Sequence, residues 1–421
     1  MTGEYVFSFH FQDKVTYKST RGGRSDQKGQ FTGITVFLFA GSVEVWNNAI
    51  CRFQEEVTLM AKFSSLLKKV LVVALVLSLA LTFAVSSVSA ADKPEYKWKF
   101  AQANVRPTQA KSMKLFCDLV GVYTDGRMEI EFFENAILGN EQETFHAVQD
   151  GSIEIGNLPP YVNLVPGGMF NWMPWTISSW DEAVIAFGQP DGILYKVLEK
   201  AYNEVGMHIL YTNSQGPYGL GNNVRPIKKP EDLKNLKMRV SSSLGCVMGL
   251  VNMGKGTGMT VETVAWSELY NALGRNVVDG CWSMWPSLIE ERHYEVLDYY
   301  TSLDWMWDAN QIAVNKEAWD ALPDDLKEAV TKAAMQAEIH QYELSRRAVR
   351  KMQEQLASEE SFNIYYPTSE EREMFREKAD MLSVWEELCK PWLEKHYPGQ
   401  NMTEKILDEL DRIHEQVKGS N

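Results

Sequence analysis

Arg239 stands in the run Asn235-Leu-Lys-Met-Arg-Val-Ser-Ser-Ser243, between Met238 and Val240, in what reads as a short strand bound for a core. A guanidinium keeps its proton at any physiological pH, so at such a place it needs a planar anionic partner or a path to water. That partner is either another part of the chain or a ligand, and the run alone leaves both open. Patterns that would mark a catalytic centre do not occur. The 7 histidines are scattered, without HExxH or His-x-His, and there is no GxSxG elbow. Gly254, Gly256 and Gly258 (GKGTG) lack the Gly-Lys-Ser/Thr ending of a phosphate loop and read as a flexible insertion. No pattern calls for a metal or a cofactor.

The elements that must position Arg239 alternate between strand and helix. Tyr96 to Ala101 and Met128 to Phe133 alternate like strands, with helical spacing over Gln109 to Tyr123 between them. A helix over Glu141 to Gln149 and a short strand over Ile153 to Gly156 follow, so the order implies parallel βαβ units. A buried strand over Val205 to Thr212 and a helical turn at Pro230 lead into the Arg239 strand, where the alternation restarts. From Pro323 to Ser358 the chain reads as one long amphipathic helix, with further helices over Ser369 to His396 and Thr403 to Val417. The expected architecture is an α/β clamshell of two lobes with a long helix spanning both. Residues 91–215 and 309–348 make the first lobe, and residues 216–308 and 349–421 the second.

Residues 60–90 have the three parts of a secretory signal peptide. Lys62, Lys68 and Lys69 precede an apolar stretch from Val70 to Val85, and Val88-Ser89-Ala90 supplies a small-residue cleavage site. A retained anchor is the alternative, and either one places the domain outside the cytoplasm. The 59 residues before Met60 show no sustained period and no domain-sized core, so 1–59 is expected to be a misassigned extension and Met60 the start. The 421-residue chain has 42 basic and 56 acidic residues; with 9 and 6 of them before residue 91, the exported part has 33 and 50, a net charge near −17. That balance excludes nucleic acid as a partner, since affinity for it rests on basic groups neutralising phosphates. Cys117, Cys246, Cys281 and Cys389 have no CxxC spacing and need not pair in a chain this large.

Several stretches, taken in order, resemble the solute-binding subunit of tripartite ATP-independent periplasmic (TRAP) transporters, the DctP family. They are Arg225-Pro-Ile-Lys-Lys-Pro-Glu-Asp-Leu-Lys-Asn-Leu-Lys-Met-Arg-Val240, Val264-Ala-Trp-Ser-Glu-Leu-Tyr-Asn-Ala-Leu273 and Asn276-Val-Val-Asp-Gly280. Leu138-Gly139, Gln149-Asp-Gly-Ser-Ile-Glu-Ile-Gly156 and Asn315-Lys-Glu-Ala-Trp-Asp-Ala-Leu-Pro323 fit the same pattern. Each motif is weak alone, and their shared order gives the resemblance its weight. It implies a periplasmic-binding-protein-like clamshell in which Arg239 projects into the cleft and pairs with a substrate carboxylate. A planar fork of donors suits that task, because it fixes direction as well as charge.

The departures from the family pattern bear on the ligand. Where the family carries a second arginine this chain has Tyr218, and Cys281-Trp282-Ser283 follows Asp-Gly where Gln-Glu-Asn is common. Ser283 can donate one hydrogen bond, so one strong anion clamp is expected and a dicarboxylate is disfavoured. Trp266 falls where the family stacks a ring on its ligand. Trp282 and Trp266 are the expected aromatic contacts and Trp175, in a loop with Trp172 and Trp180, the third. Glu141 matches an acidic position and binds a ligand amine or simply favours the helix start; His146 reads as a surface residue. The resemblance thus implies binding in the periplasm and not turnover: an organic acid, leaning to an aryl or indolyl carboxylate, is captured and handed to membrane permease subunits.

 A periplasmic monomer is expected. A small sulfonate or a C4-type or hydroxy acid is the alternative ligand, and a module that presents its ligand to a receptor is the alternative role.

Mass spectrometry of the native N-terminus checks the reading of the chain's start. The mature protein is expected to begin just after Ala90, with no peptides from residues 1–59 in the cell extract.

Overall fold

Residues with alternating burial form β1 (Tyr96–Ala101) and β2 (Met128–Phe133), which pair in parallel with Tyr96 opposite Met128. The computed structural model describes residues 93–104, 106–169 and 175–420. The expected extension and signal peptide lie outside these residues, as does Trp172. β3 (Ile155–Leu158) joins the other edge of β1 in parallel. Helices Pro107–Tyr123 and Glu141–Gln149 make the crossovers, as the βαβ pattern requires.

The same plan recurs further along the chain. β4 (Met207–Asn222) comes first; then β5 (Lys237–Val240) lies between β6 (Thr260–Thr263) and β7 (Gly280–Met284), parallel to both. Helix Leu244–Met253 links β5 to β6, and the Gly254 to Gly258 segment closes it as a turn. β8 (Tyr299–Thr301), β9 (Trp307–Asn315) and β10 (Asn363–Tyr365) complete the set. The order β2-β1-β3-β9-β4-β7-β5-β6 mirrors itself about the β9–β4 pair, with three parallel strands on either side. This is the two-lobed α/β arrangement that the alternation predicts.

β4 is the strand that joins the two sides. The expected strand over Val205 to Thr212 in fact continues to Asn222, past Gly216 and Pro217. Met207 to Pro217 pair with β9, after which Tyr218 to Asn222 pair with β7. A bulge between Ser214 and Gly216 absorbs the turn residues, and Gly216 takes φ +94°, where a side chain would be strained. The change of partner therefore falls at Pro217–Tyr218, opposite Trp307 and Asp308.

Helix Asp324–Ala357 runs behind this crossing. It packs on helix Pro107–Tyr123, on β4 and on helix Trp285–Ile289, so it touches both sides. Its buried polar face binds the β4 backbone: Ser214 N donates to Gln341 Oε1 at 3.1 Å, and Thr212 N donates to Glu338 at 3.0 Å. Burial pushes the Glu338 carboxyl up to about 8. The single helix expected over Ser369 to His396 is three, Ser369–Ala379, Met381–Leu388 and Lys390–His396. Asp380 at φ +46° makes the first break, and Pro391 follows the second. The first two of these pack on helix Leu244–Met253, whereas Met402–Lys418 packs on Trp180–Phe187 and Ile193–Glu204. The C-terminal segment, expected within the second lobe, thus leans on both sides. Among the described residues the four cysteines are free.

Helix Glu141–Gln149 begins in a capping box. Asn140 accepts from Gln142 N and Glu143 N, and Glu143 accepts from Asn140 N at 2.8 Å. Asn140→Ala is expected to lower the free energy of unfolding by about 1 kcal/mol, with Asn140→Asp close to wild type. Urea denaturation followed by circular dichroism reads the difference.

Candidate functional site

Arg239 lies on β5 with its side chain on the face opposite Met238 and Val240, and only 1% of it is exposed. Its Nε donates to Val264 O at 2.9 Å, while Nη1 has no hydrogen-bond partner among the described residues. The guanidinium lies over the Trp266 ring, 4.9 Å from its centroid. Together these residues border a small cavity of about 20 Å³, which shares lining residues with a second of about 200 Å³. Both cavities draw their walls from the C-terminal ends of parallel strands, where open α/β sheets bind ligands. Asn104 and Arg106 follow β1, Pro159 and Tyr161 follow β3, and Ser241 and Trp266 follow β5 and β6. Tyr218, Met306, Asp308 and Asn310 come from the β4–β9 crossing.

The structure therefore brings Arg239, Tyr218, Trp282, Trp266 and Glu141 to one cavity. Ser283 and Trp175 do not line it. Ser283 is fully buried, with its Oγ 3.4 Å from His293 Nδ1, because β-strand alternation turns it away from the side that Trp282 faces. Trp175 packs on Trp305 at 6.2 Å, and its backbone N–H donates to the Trp305 carbonyl. Trp282 lies between Tyr218 at 5.5 Å and Trp305 at 5.4 Å. Glu141 accepts from Tyr161 OH at 2.7 Å and from Asn104 Nδ2 at 3.2 Å. His146 is exposed, as read from the sequence.

A second cation, which the sequence reading did not single out, stands beside Arg239. Arg106, 3% exposed, lines the same cavity, and its guanidinium lies 5.1 Å from the Trp266 centroid. It donates from Nε to Glu291 Oε1 at 2.8 Å, and Glu291 Oε2 accepts from Trp266 Nε1 at 2.7 Å. Burial opposes the Arg106 charge, but Glu291, then Asp308 and Tyr218, outweigh it and hold its pKa above the ordinary value. His293, 3.7 Å from Glu291, is pushed down to about 4 by burial and is neutral at pH 7. Asp308 is the second residue the sequence reading missed. Its Oδ1 accepts from Tyr218 OH at 3.0 Å and its Oδ2 from Gln215 Nε2 at 2.7 Å. Burial pushes it up to about 6, against the lowering effect of Arg106 and these two donors.

Arg106 also joins the two sides of the molecule. It follows β1, whereas Glu291 follows helix Trp285–Ile289 beyond β7. Beside it, Thr108 N donates to Glu290 Oε1 at 3.1 Å, and Gln142 Nε2 donates to Ser242 Oγ at 3.2 Å. Removing one partner of a buried ion pair strands the other charge. Arg106→Met is therefore expected to lower stability by roughly 3–5 kcal/mol, and adding Glu291→Gln should recover much of the loss. A double-mutant cycle from denaturant unfolding without added ligand measures both effects.

The chain is similar to several known proteins. A solute-binding protein of Chromohalobacter salexigens is 26% identical over 269 residues, 63% of this chain and 76% of its own. The C4-dicarboxylate-binding periplasmic protein DctP of Rhodobacter capsulatus is 24% identical over 331 residues, 76% of this chain and 91% of its own. The crystal structure of a sugar acid binding protein from Advenella mimigardefordensis, in complex with galactonate, superposes with a TM-score of 0.67 at 22% identity. It covers 76% of this chain and 100% of that one, and it shares the fold. Residues 101–390 match the DctP family as a whole, and the chain belongs to it: bacterial extracellular solute-binding protein family 7.

Proposed function

We propose that this chain is the exported receptor of a TRAP transporter, capturing an organic acid in the cavity at the β4–β9 crossing and delivering it to membrane permease subunits. The observation that carries this reading is Arg239: a guanidinium 1% exposed, with Nη1 unpartnered among the described residues, bordering a cavity. A carboxylate is the planar acceptor such a group lacks. The other site roles are proposed with it. Trp266 holds the Arg239 fork from beneath, since its ring already carries two guanidiniums and is not a free stacking surface. Trp282 and Tyr218 offer the aromatic wall, which supports a carboxylate bearing a flat or apolar group. Ser283 and Trp175 then support the wall from behind.

A hydroxylated acid is the second reading. Asn310 Oδ1 is buried at the cavity without a partner among the described residues, and Asn104 and Ser241 add polar groups beside it. The relative's complex with galactonate is consistent with such a ligand. In either case the ligand touches both sides of the cleft and so favours the closed state by population shift, the form proposed to dock on the permease. The protein acts by binding, and the ligand leaves unchanged.

Thermal-shift screening against an organic-acid library, followed by calorimetry, tests the assignment. Arg239→Ala should weaken binding by roughly 10- to 150-fold, the range for hydrogen bonds to a charged group. Arg239→Lys should restore little, because it keeps the charge and loses the fork. Wild-type affinity in Arg239→Ala would reject the anchor, and an aryl acid binding no tighter than gluconate would move the ligand to the hydroxylated class.

A further inference from the structure

Five charged side chains meet at or directly behind the cavity: Arg106 and Arg239 against Glu141, Asp308 and Glu291. Arg106 is taken by Glu291, so its charge is answered within the protein. Arg239, Asp308 and Glu141 make no ion pair among the described residues, although Asp308 has the Arg106 charge nearby. Among the described residues no Lys, Arg or His nitrogen makes an ion pair with Asp308; its bonds come from a phenol and an amide. Each carboxylate oxygen keeps a second lone pair beyond those bonds. The cavity therefore presents a cation and an anion, Arg239 and Asp308, that are both 1% exposed and make no ion pair within the protein.

The charge count decides what fits. With His293 neutral, the five groups leave one negative charge in excess. A simple carboxylate would raise that to two in a buried site, and a dicarboxylate to three, which low-dielectric surroundings penalise. A ligand carrying its own positive charge leaves the balance where it was. We propose that the ligand is a zwitterion, an amino acid or related ammonium carboxylate, with its carboxylate on Arg239 and its ammonium on Asp308. This rests on the assignment of a carboxylate to Arg239 and adds the group at the other end.

Asp308 is placed for that role by three elements. Tyr218 and Gln215 on β4 orient both of its oxygens, Arg106 after β1 faces it from the first side, and Glu141 adds a like charge nearby. Cys246 also faces it, and burial holds that thiol at about 12, protonated. Since Asp308 sits at about 6, a ligand with no positive charge would draw a proton onto this cluster as it binds. A zwitterion would not. Proton uptake thus separates the two kinds of ligand without any mutation.

The experiment uses the full exported chain and a panel of L-amino acids, each matched with its 2-hydroxy acid and its des-amino acid. At least one amino acid is expected to raise the melting temperature and to bind about tenfold or more tightly than both of its matched acids, the gain for a charged hydrogen bond. Titration in buffers of different ionisation enthalpy should show no net proton uptake with that amino acid. Asp308→Asn should bring the three matched ligands to within about threefold of one another, well inside that gain. A matched acid that binds as tightly as its amino acid, or an amino acid that takes up a proton, overturns the proposal. Should Asp308→Asn fail to fold, the wild-type ratio and proton count decide alone. Loss of only the amine preference removes this inference and leaves the carboxylate anchor standing. Binding of no carboxylate at all, or full binding by Arg239→Ala, removes both.

Discussion

A buried guanidinium with one nitrogen unpartnered among the described residues is the constraint on which the cavity depends. Arg239 cannot shed its charge, and its position on a parallel strand between β6 and β7 denies it water. The protein meets part of the demand with the Val264 carbonyl and the Trp266 ring. What is left over is directional. A cation with an unpartnered donor beside a cavity suits a planar acceptor, and this supports the proposed anion receptor.

Around that group the structure keeps other charges from competing. Glu291 binds Arg106 and the Trp266 indole together, and so fixes one cation and one ring through a single carboxylate. His293 lies against the same carboxylate but is held neutral by burial, adding no third positive charge. Arg239 is thereby left as the cation without an internal carboxylate partner. The Arg106–Glu291 bond also joins residues 185 apart in sequence, so it ties the two sides of the cleft at the cavity wall.

The crossing strands put the cavity where the two sides join. β4 changes partner at Pro217–Tyr218, opposite Trp307 and Asp308, and the neighbouring residues Tyr218, Met306, Asp308 and Asn310 line the cavity. Helix Asp324–Ala357 grips the bulged part of β4 through Gln341 and Glu338. Contacts made at the crossing are thus made where the two sides join.

Local pattern was enough to place β1, β2, the helices that follow them and the long helix, because alternation and helical spacing are properties of neighbouring residues. The motif around Arg239 led to the cavity, and Tyr218, Trp266, Trp282 and Glu141 came with it. Arg106 was passed over because it stands alone before Pro107, and nothing nearby tells that Glu291 will bury and neutralise it. Asp308 was passed over for a related reason: in Trp305-Met-Trp-Asp308 it reads as the polar end of an aromatic run, and only pairing with β4 sets it beside Tyr218 and Gln215. The run through Gly216 and Pro217 looked like a strand end, yet a bulge let the strand continue. The sequence by itself determined many of the elements, which follow from short-range spacing, and the family and the cation, which follow from motifs that resemble it. The tertiary structure decided which charges are already answered and which still face the cavity, because that balance is set by partners brought together from opposite sides of the cleft.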